Sequence, residues 1–225
     1  MSSTSSGVLT SSQAHADSIK AYLDSITDKL LASLPAAERL SAAERRGIIA
    51  RYSAVLEGNF IYWMTGAYLA AKSEEARELI LGNLLEEVRD CHPGMMRRFA
   101  MAAHAQPTDA DAMAVYPNLS KVRLFIGMLS PAPIVAMMAF FEGFIQRFMP
   151  YLEELAVRQG SAERVYTQVH GVCDIAHSQE LYRALGAEMA LANDSRDPVE
   201  YLFEGVHVLR ALIENMFTDP ASAPA

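Results

Sequence analysis

Apolar residues recur along this chain at intervals of three and four, and almost nowhere in alternation. That spacing lays them on one stripe of an α-helix, whereas a half-buried strand would alternate. From Ser18 to about Leu34 the stripe is Ile19, Tyr22, Leu23, Ile26 and Leu30, and Pro35 breaks it. Residues from Ala36 to about Lys72 read as one long helix whose half from Ile48 to Ala71 is strongly apolar. Ser73 suits an N-cap, and Glu74 and Glu75 follow where the helix dipole favours negative charge. Ala76 stands where a capping box needs Glu or Gln, so the reciprocal bond is not expected. That helix should reach about Asp90.

Pro93 permits a new short helix through Ala103. Residues 105–118 carry Pro107 and Pro117 and read as a connection with some helix in it. Residues 120–129 are helical, and Ser130 with Pro131 opens a further helix ending by Gly160. Helices over 161–178, 179–193 and 198–217 complete the pattern, with a turn at Asn193-Asp194-Ser195. The expectation is an all-α, single-domain helical bundle over residues 17–218. A disordered leader is expected over 1–16 and a frayed tail over 219–225.

Composition narrows the partners. The chain has 225 residues, 51% of them hydrophobic and 20% charged, enough for one domain with a sizeable core. Its net charge of -8 repels phosphate backbones, so no nucleic acid is expected. The Ser- and Thr-rich stretch from Met1 to Ala16 lacks the basic start and apolar run of a secretory signal. The most apolar run, Ile134 to Phe144, is shorter than the roughly 18 residues a bilayer span needs, and it contains Glu142. Cys91 and Cys173 lie far apart and outside any CxxC pair, which suits reduced thiols in the cytoplasm. The expected partner is a small-molecule substrate, with no membrane, and a homodimer is left open.

The strongest local chemistry is HGVCDIAH, where His170, Asp174 and His177 stand at i, i+4 and i+7. At about 100° per residue the three fall within roughly 60° of one another on one helix face. Two imidazoles and a carboxylate there are a set of metal ligands, better suited to iron or manganese than to calcium or magnesium. The plain alternative is an exposed polar stripe. Two other carboxylates argue against it. Glu142 lies in AMMAFFEGFIQRF and Glu57 in YSAVLEGNFIYWM, and a buried carboxylate is costly unless it is paired or binds a metal. Few basic residues lie within these helices: Arg51, and Arg147, which is five positions from Glu142 and points elsewhere. The fourth element is NLLEEVRDCHPGMM. Glu86 and Glu87 cannot both face inward on a helix, and a turn could bring His92 back over the same cavity.

Helical bundles build dinuclear carboxylate sites from such residues, although the two Glu-x-x-His copies of ferritin-like proteins are not found at the expected places. The order found is Glu57, then Asn83-Leu84-Leu85-Glu86-Glu87 with His92-Pro93, then Glu142, then His170, Asp174 and His177. From about Tyr52 to Tyr182 this resembles the haem-oxygenase-like di-iron oxidases and oxygenases. The resemblance implies a haem-oxygenase-like fold, two Fe(II) ions and dioxygen as co-substrate. It implies that Glu87, His92, Glu142 and His170 serve one iron. Glu57, Glu87, Asp174 and His177 would serve the other, with Glu87 bridging. The gap Val-Arg-Asp-Cys before His92 is shorter than the family's usual one, which leaves the choice between Glu86 and Glu87 open.

Family members act on small amino acids, amines and fatty acids by N-oxygenation, oxidative C–C cleavage or rearrangement to nitriles, often in natural-product biosynthesis. Phe60, Trp63, Phe141 and Phe144 flank Glu57 and Glu142 and are expected to line a substrate pocket. Arg51, Arg97, Lys121 and Arg123 are candidates to hold a substrate carboxylate. His104 and His207 read as ordinary helix residues, and Cys173 is expected to point off the ligand face. The alternatives are a non-catalytic helical metal-binding protein and a cofactorless or thiaminase-like enzyme of the same fold. Haem is disfavoured because the only early histidine, His15, lies in the leader.

Overall fold

The structure, a computed structural model, describes residues 5–192 and 201–218. Among the described residues it is all-helical, without strands. The elements are α1 (Ser5–Ala32), α2 (Ala42–Leu56), α3 (Phe60–Ala70), α4 (Glu74–Arg89), α5 (His92–Ala102), α6 (Asp109–Gly127), α7 (Pro131–Arg158), α8 (Val165–Ala192) and α9 (Glu204–Phe217).

α7 is the core helix. Its buried residues run from Ile134 to Ala156, and it packs lengthwise on α8, with α9, α3, α2 and α1 around it. By length and composition α7 could cross a membrane, yet 72% of its most apolar window is buried inside the protein. α4 and α5 lean on α8, and α6 packs on α9 and α2.

Local chemistry sets the helix starts. Ser41 and Glu44 form a capping box at the start of α2. Ser73 caps α4 by accepting the Ala76 N–H at 3.3 Å. The carboxylate that a box would supply comes instead from α8, where buried Glu188 accepts the N–H groups of Lys72 and Ser73, both at 2.8 Å.

Several boundaries differ from expectation, beginning with α2, which starts at Ala42 rather than Ala36. The chain expected to be helical from Ala36 to Lys72 breaks at Glu57-Gly58-Asn59, because Gly58 adopts φ +88°, a left-handed conformation that ends a helix. Residues 109–127 form one helix despite Pro117, started by a capping box of Thr108 and Asp111 that Arg46 also holds, at 3.0 and 2.6 Å. α8 runs unbroken where two helices were expected, since nothing near Ser178 stops it. α1 starts at Ser5, so residues 5–16 of the expected leader continue its backbone, each added residue gaining one helical bond. The turn at Asn193-Asp194-Ser195 and the tail 219–225 lie outside the described residues.

Candidate metal centre

Six of the seven expected ligands converge between α4, α5, α7 and α8. His170, Asp174 and His177 share the buried face of α8, and Glu142 faces them from α7. Glu87 comes from the last turn of α4 and His92 from the start of α5. None of the six is more than 5% exposed.

His92 returns to the cluster through one residue. Cys91 takes φ +57°, a left-handed turn that costs a non-glycine residue about 1–2 kcal/mol and reverses the chain within the short Val-Arg-Asp-Cys gap. Gly94 accommodates it, because a Cβ there would lie 2.6 Å from the Cys91 sulfur. The result is a 2.6 Å contact between His92 Nδ1 and Glu87 Oε1.

The cluster has two ends. At one end the donor atoms of Glu87, His92 and His170 lie within 4.8 Å of one another. The His92 and His170 rings meet edge to face at 4.6 Å. His170 Nδ1–H donates to the Tyr166 carbonyl at 2.9 Å, which leaves Nε2 as its donor atom. Behind it the Tyr52 and Tyr166 hydroxyls share a 2.9 Å hydrogen bond. At the other end His177 Nδ1 stands 3.7 Å from Asp174 Oδ1 and 3.8 Å from Glu142 Oε1, while its Nε2 stands 3.4 Å from Glu86 Oε2. The Cys173 thiol donates to Asp174 Oδ1 at 3.1 Å, so Cys173 turns toward the ligand face, not off it as expected.

Burial dominates the electrostatics. It pushes Glu142 well above the usual carboxylate range, with the charges of Asp174 and Glu87 adding to the effect. It pushes Asp174 up likewise, against the Cys173 hydrogen bond. His170 is pulled down to about 4 by burial. For His92 burial acts in the same sense, but the hydrogen bond and charge of Glu87 outweigh it and raise the imidazole above its ordinary value.

The structure departs from expectation at Glu57. This residue caps the end of α2, and its side chain is ion-paired with Arg97 of α5, with Nε–Oε1 at 2.7 Å. It is not brought into the cluster. Arg147 does point away from Glu142, to Asp28. A small cleft opens beside the Glu87–His92–His170 end. Its apolar wall is Leu56, Phe60, Pro93, Met96 and Ile145, with Tyr166 beside them. Of the four aromatics expected there, only Phe60 lines it. Trp63, Phe141 and Phe144 are core residues, packed on Phe141, Phe60 and Phe148. The candidate cations are engaged elsewhere: Arg51 with the Met216 carbonyl, Lys121 with Asn118, Arg123 with Asn59.

The sequence from 49 to 208 matches the family described as iron-containing redox enzyme, of the haem-oxygenase-like group. The chain belongs to this family. Comparison with curated proteins and with solved structures gives no match.

The matched span contains all six clustered residues, and these fit the iron that the iron-containing redox enzymes carry. Glu142 Oε1, Asp174 Oδ2 and both ring nitrogens of His177 are buried and have no hydrogen-bond partner among the described residues. An unpaired buried polar atom costs about 1–3 kcal/mol. A cation held by these nitrogen and oxygen donors would satisfy all but one of them.

Proposed function

We propose that this chain is a non-haem di-iron oxidase or oxygenase that uses dioxygen on a small organic substrate. The observation that carries the reading is the set of four unpartnered donor atoms on α7 and α8 beside a second, hydrogen-bonded donor group drawn from α4, α5 and α8. Glu87, His92 and His170 would hold one iron, Asp174 and His177 the other, with Glu142 between them. Iron held by these residues would supply the redox chemistry for dioxygen activation.

The protein's own part is positioning, proton control and exclusion of water. The Tyr166 carbonyl fixes the His170 tautomer with Nε2 toward the cluster. Glu142 and Asp174, both held above the ordinary carboxylate range, keep a proton until a cation displaces it. Leu56, Phe60, Met96 and Ile145 give the cleft a dry wall for the apolar body of an amino acid, amine or fatty-acid-like substrate. The setting that accords with this is cytoplasmic natural-product chemistry.

Anaerobic ferrous loading followed by metal analysis should approach two irons per chain. Oxygen uptake with panels of amino acids, amines and fatty acids, read by mass spectrometry, should then reveal the substrate. No more than one iron under every loading condition, with or without substrate, would sink the di-iron reading.

A further inference from the structure

Glu86 and Glu87 are neighbours on α4, about 100° apart, so only one was expected to face inward. The structure uses both. α4 lies antiparallel across α8, and Asn83 Nδ2 contacts the His177 carbonyl at 3.4 Å, which sets the last turn of α4 over the middle of the ligand face. From there Glu87 turns toward His92 and Glu86 turns toward His177.

The Glu86 Oε2 to His177 Nε2 separation is 3.4 Å, and the geometry is not that of a hydrogen bond, because Nε2 is without a hydrogen-bond partner. His177 shows Nδ1 to Asp174 and Glu142 and Nε2 to Glu86; turned by half a revolution about Cβ–Cγ, its ring brings Nε2 to the place of Cε1, between the two sides, where one cation would reach the imidazole and the carboxylates on both. Glu57, the carboxylate expected at this end, is occupied by Arg97.

We propose that Glu86 is the carboxylate ligand of the His177 metal position, in the place Glu57 was expected to fill. The proposal rests on the di-iron reading. Glu86 and Glu57 side chains are 39% and 27% exposed, so neither substitution leaves a hole in the core.

The test is anaerobic titration of the parent, E86Q, E86A and E57Q with Fe(II), and with Co(II) as a spectroscopic probe, reading metal count, affinity and ligand-field absorption. The parent and E57Q should bind two ions. E86Q and E86A should both keep one ion tightly and lose at least about tenfold in affinity for the second. Glutamine keeps an oxygen that can accept a bond from a His177 N–H but lacks the charge a cation needs. E86Q behaving as the parent while only E86A is impaired would therefore show an orienting role and overturn the proposal. Loss of the second ion in E57Q, with E86Q unchanged, would overturn it in favour of Glu57. A parent that never takes a second ion removes the di-iron reading, and this inference with it.

Discussion

The two ends of the donor cluster use the same kinds of side chain and leave them in different states. At the His92 end each residue is held by one hydrogen bond: Glu87 and His92 to each other, and His170 Nδ1–H to the Tyr166 carbonyl. At the His177 end four buried atoms of Glu142, Asp174 and His177 have none. The first end is set in shape without a ligand. The second carries an uncompensated desolvation cost that a cation relieves. The difference teaches which half is preorganised by the fold and which half trades stability for binding.

The largest effect should come from removing the carboxylate between the two ends. Glu142→Leu should leave the metal-free fold intact or firmer, by roughly 1–4 kcal/mol, because it removes a buried ionisable group. It should also erase the rise in melting temperature that Fe(II) gives the parent. Thermal unfolding with and without Fe(II) checks both. Retained metal stabilisation in a variant that folds poorly would contradict the assignment.

The pH dependence of the metal-free protein should separate the ends next. Glu142 and Asp174 have raised values, so their stabilising proton is fully in place below the ordinary carboxylate range and is lost as pH rises through those values. His170 is depressed to about 4, so stability is whole above the ordinary imidazole value of about 6.5 and is lost as pH falls toward 4. Each contributes a slope of up to about 1.4 kcal/mol per pH unit. In urea midpoints measured across pH, Glu142→Gln should flatten the loss on the rising side and His170→Asn the loss on the falling side. Unchanged slopes in both variants would remove this account.

The smallest effect is expected outside the cluster. Gly58→Ala has nothing within 4 Å of the added carbon, so its cost is the left-handed backbone alone, about 1–2 kcal/mol. Metal count should not change. A fall in metal count would tie the break after Glu57 to the centre, and urea unfolding beside metal analysis distinguishes the two.

Much of the centre was legible because helical periodicity needs no tertiary information. It set His170, Asp174 and His177 on one face, and the apolar run around Glu142 already required that carboxylate to be buried. The rotation of α4 was not legible, because Leu85 and Val88, which an apolar count would turn inward, are more than half exposed. Glu57 was misplaced because its partner Arg97 lies forty residues away and the break depends on the φ of Gly58, although Glu-Gly-Asn was a readable helix stop. Tyr166 could have been found, one turn before His170 on the same face. Trp63, Phe141 and Phe144 could not be told from cavity residues, since a core and a cleft wall have the same composition.

The Glu188 contact at the start of α4 has a mechanical meaning. It pins one end of a stiff rod whose other end carries Glu86 and Glu87. From Ser73 to Glu86 the rod is about 20 Å long. A tilt of about 1.5° at the pinned end would swing the tip by about 0.5 Å, as much as a preorganised donor set tolerates. Glu188 thus works as the far bearing of a lever whose near bearing is Asn83 on the His177 carbonyl, and the aim of two carboxylates is shared between two contacts about 15 Å apart.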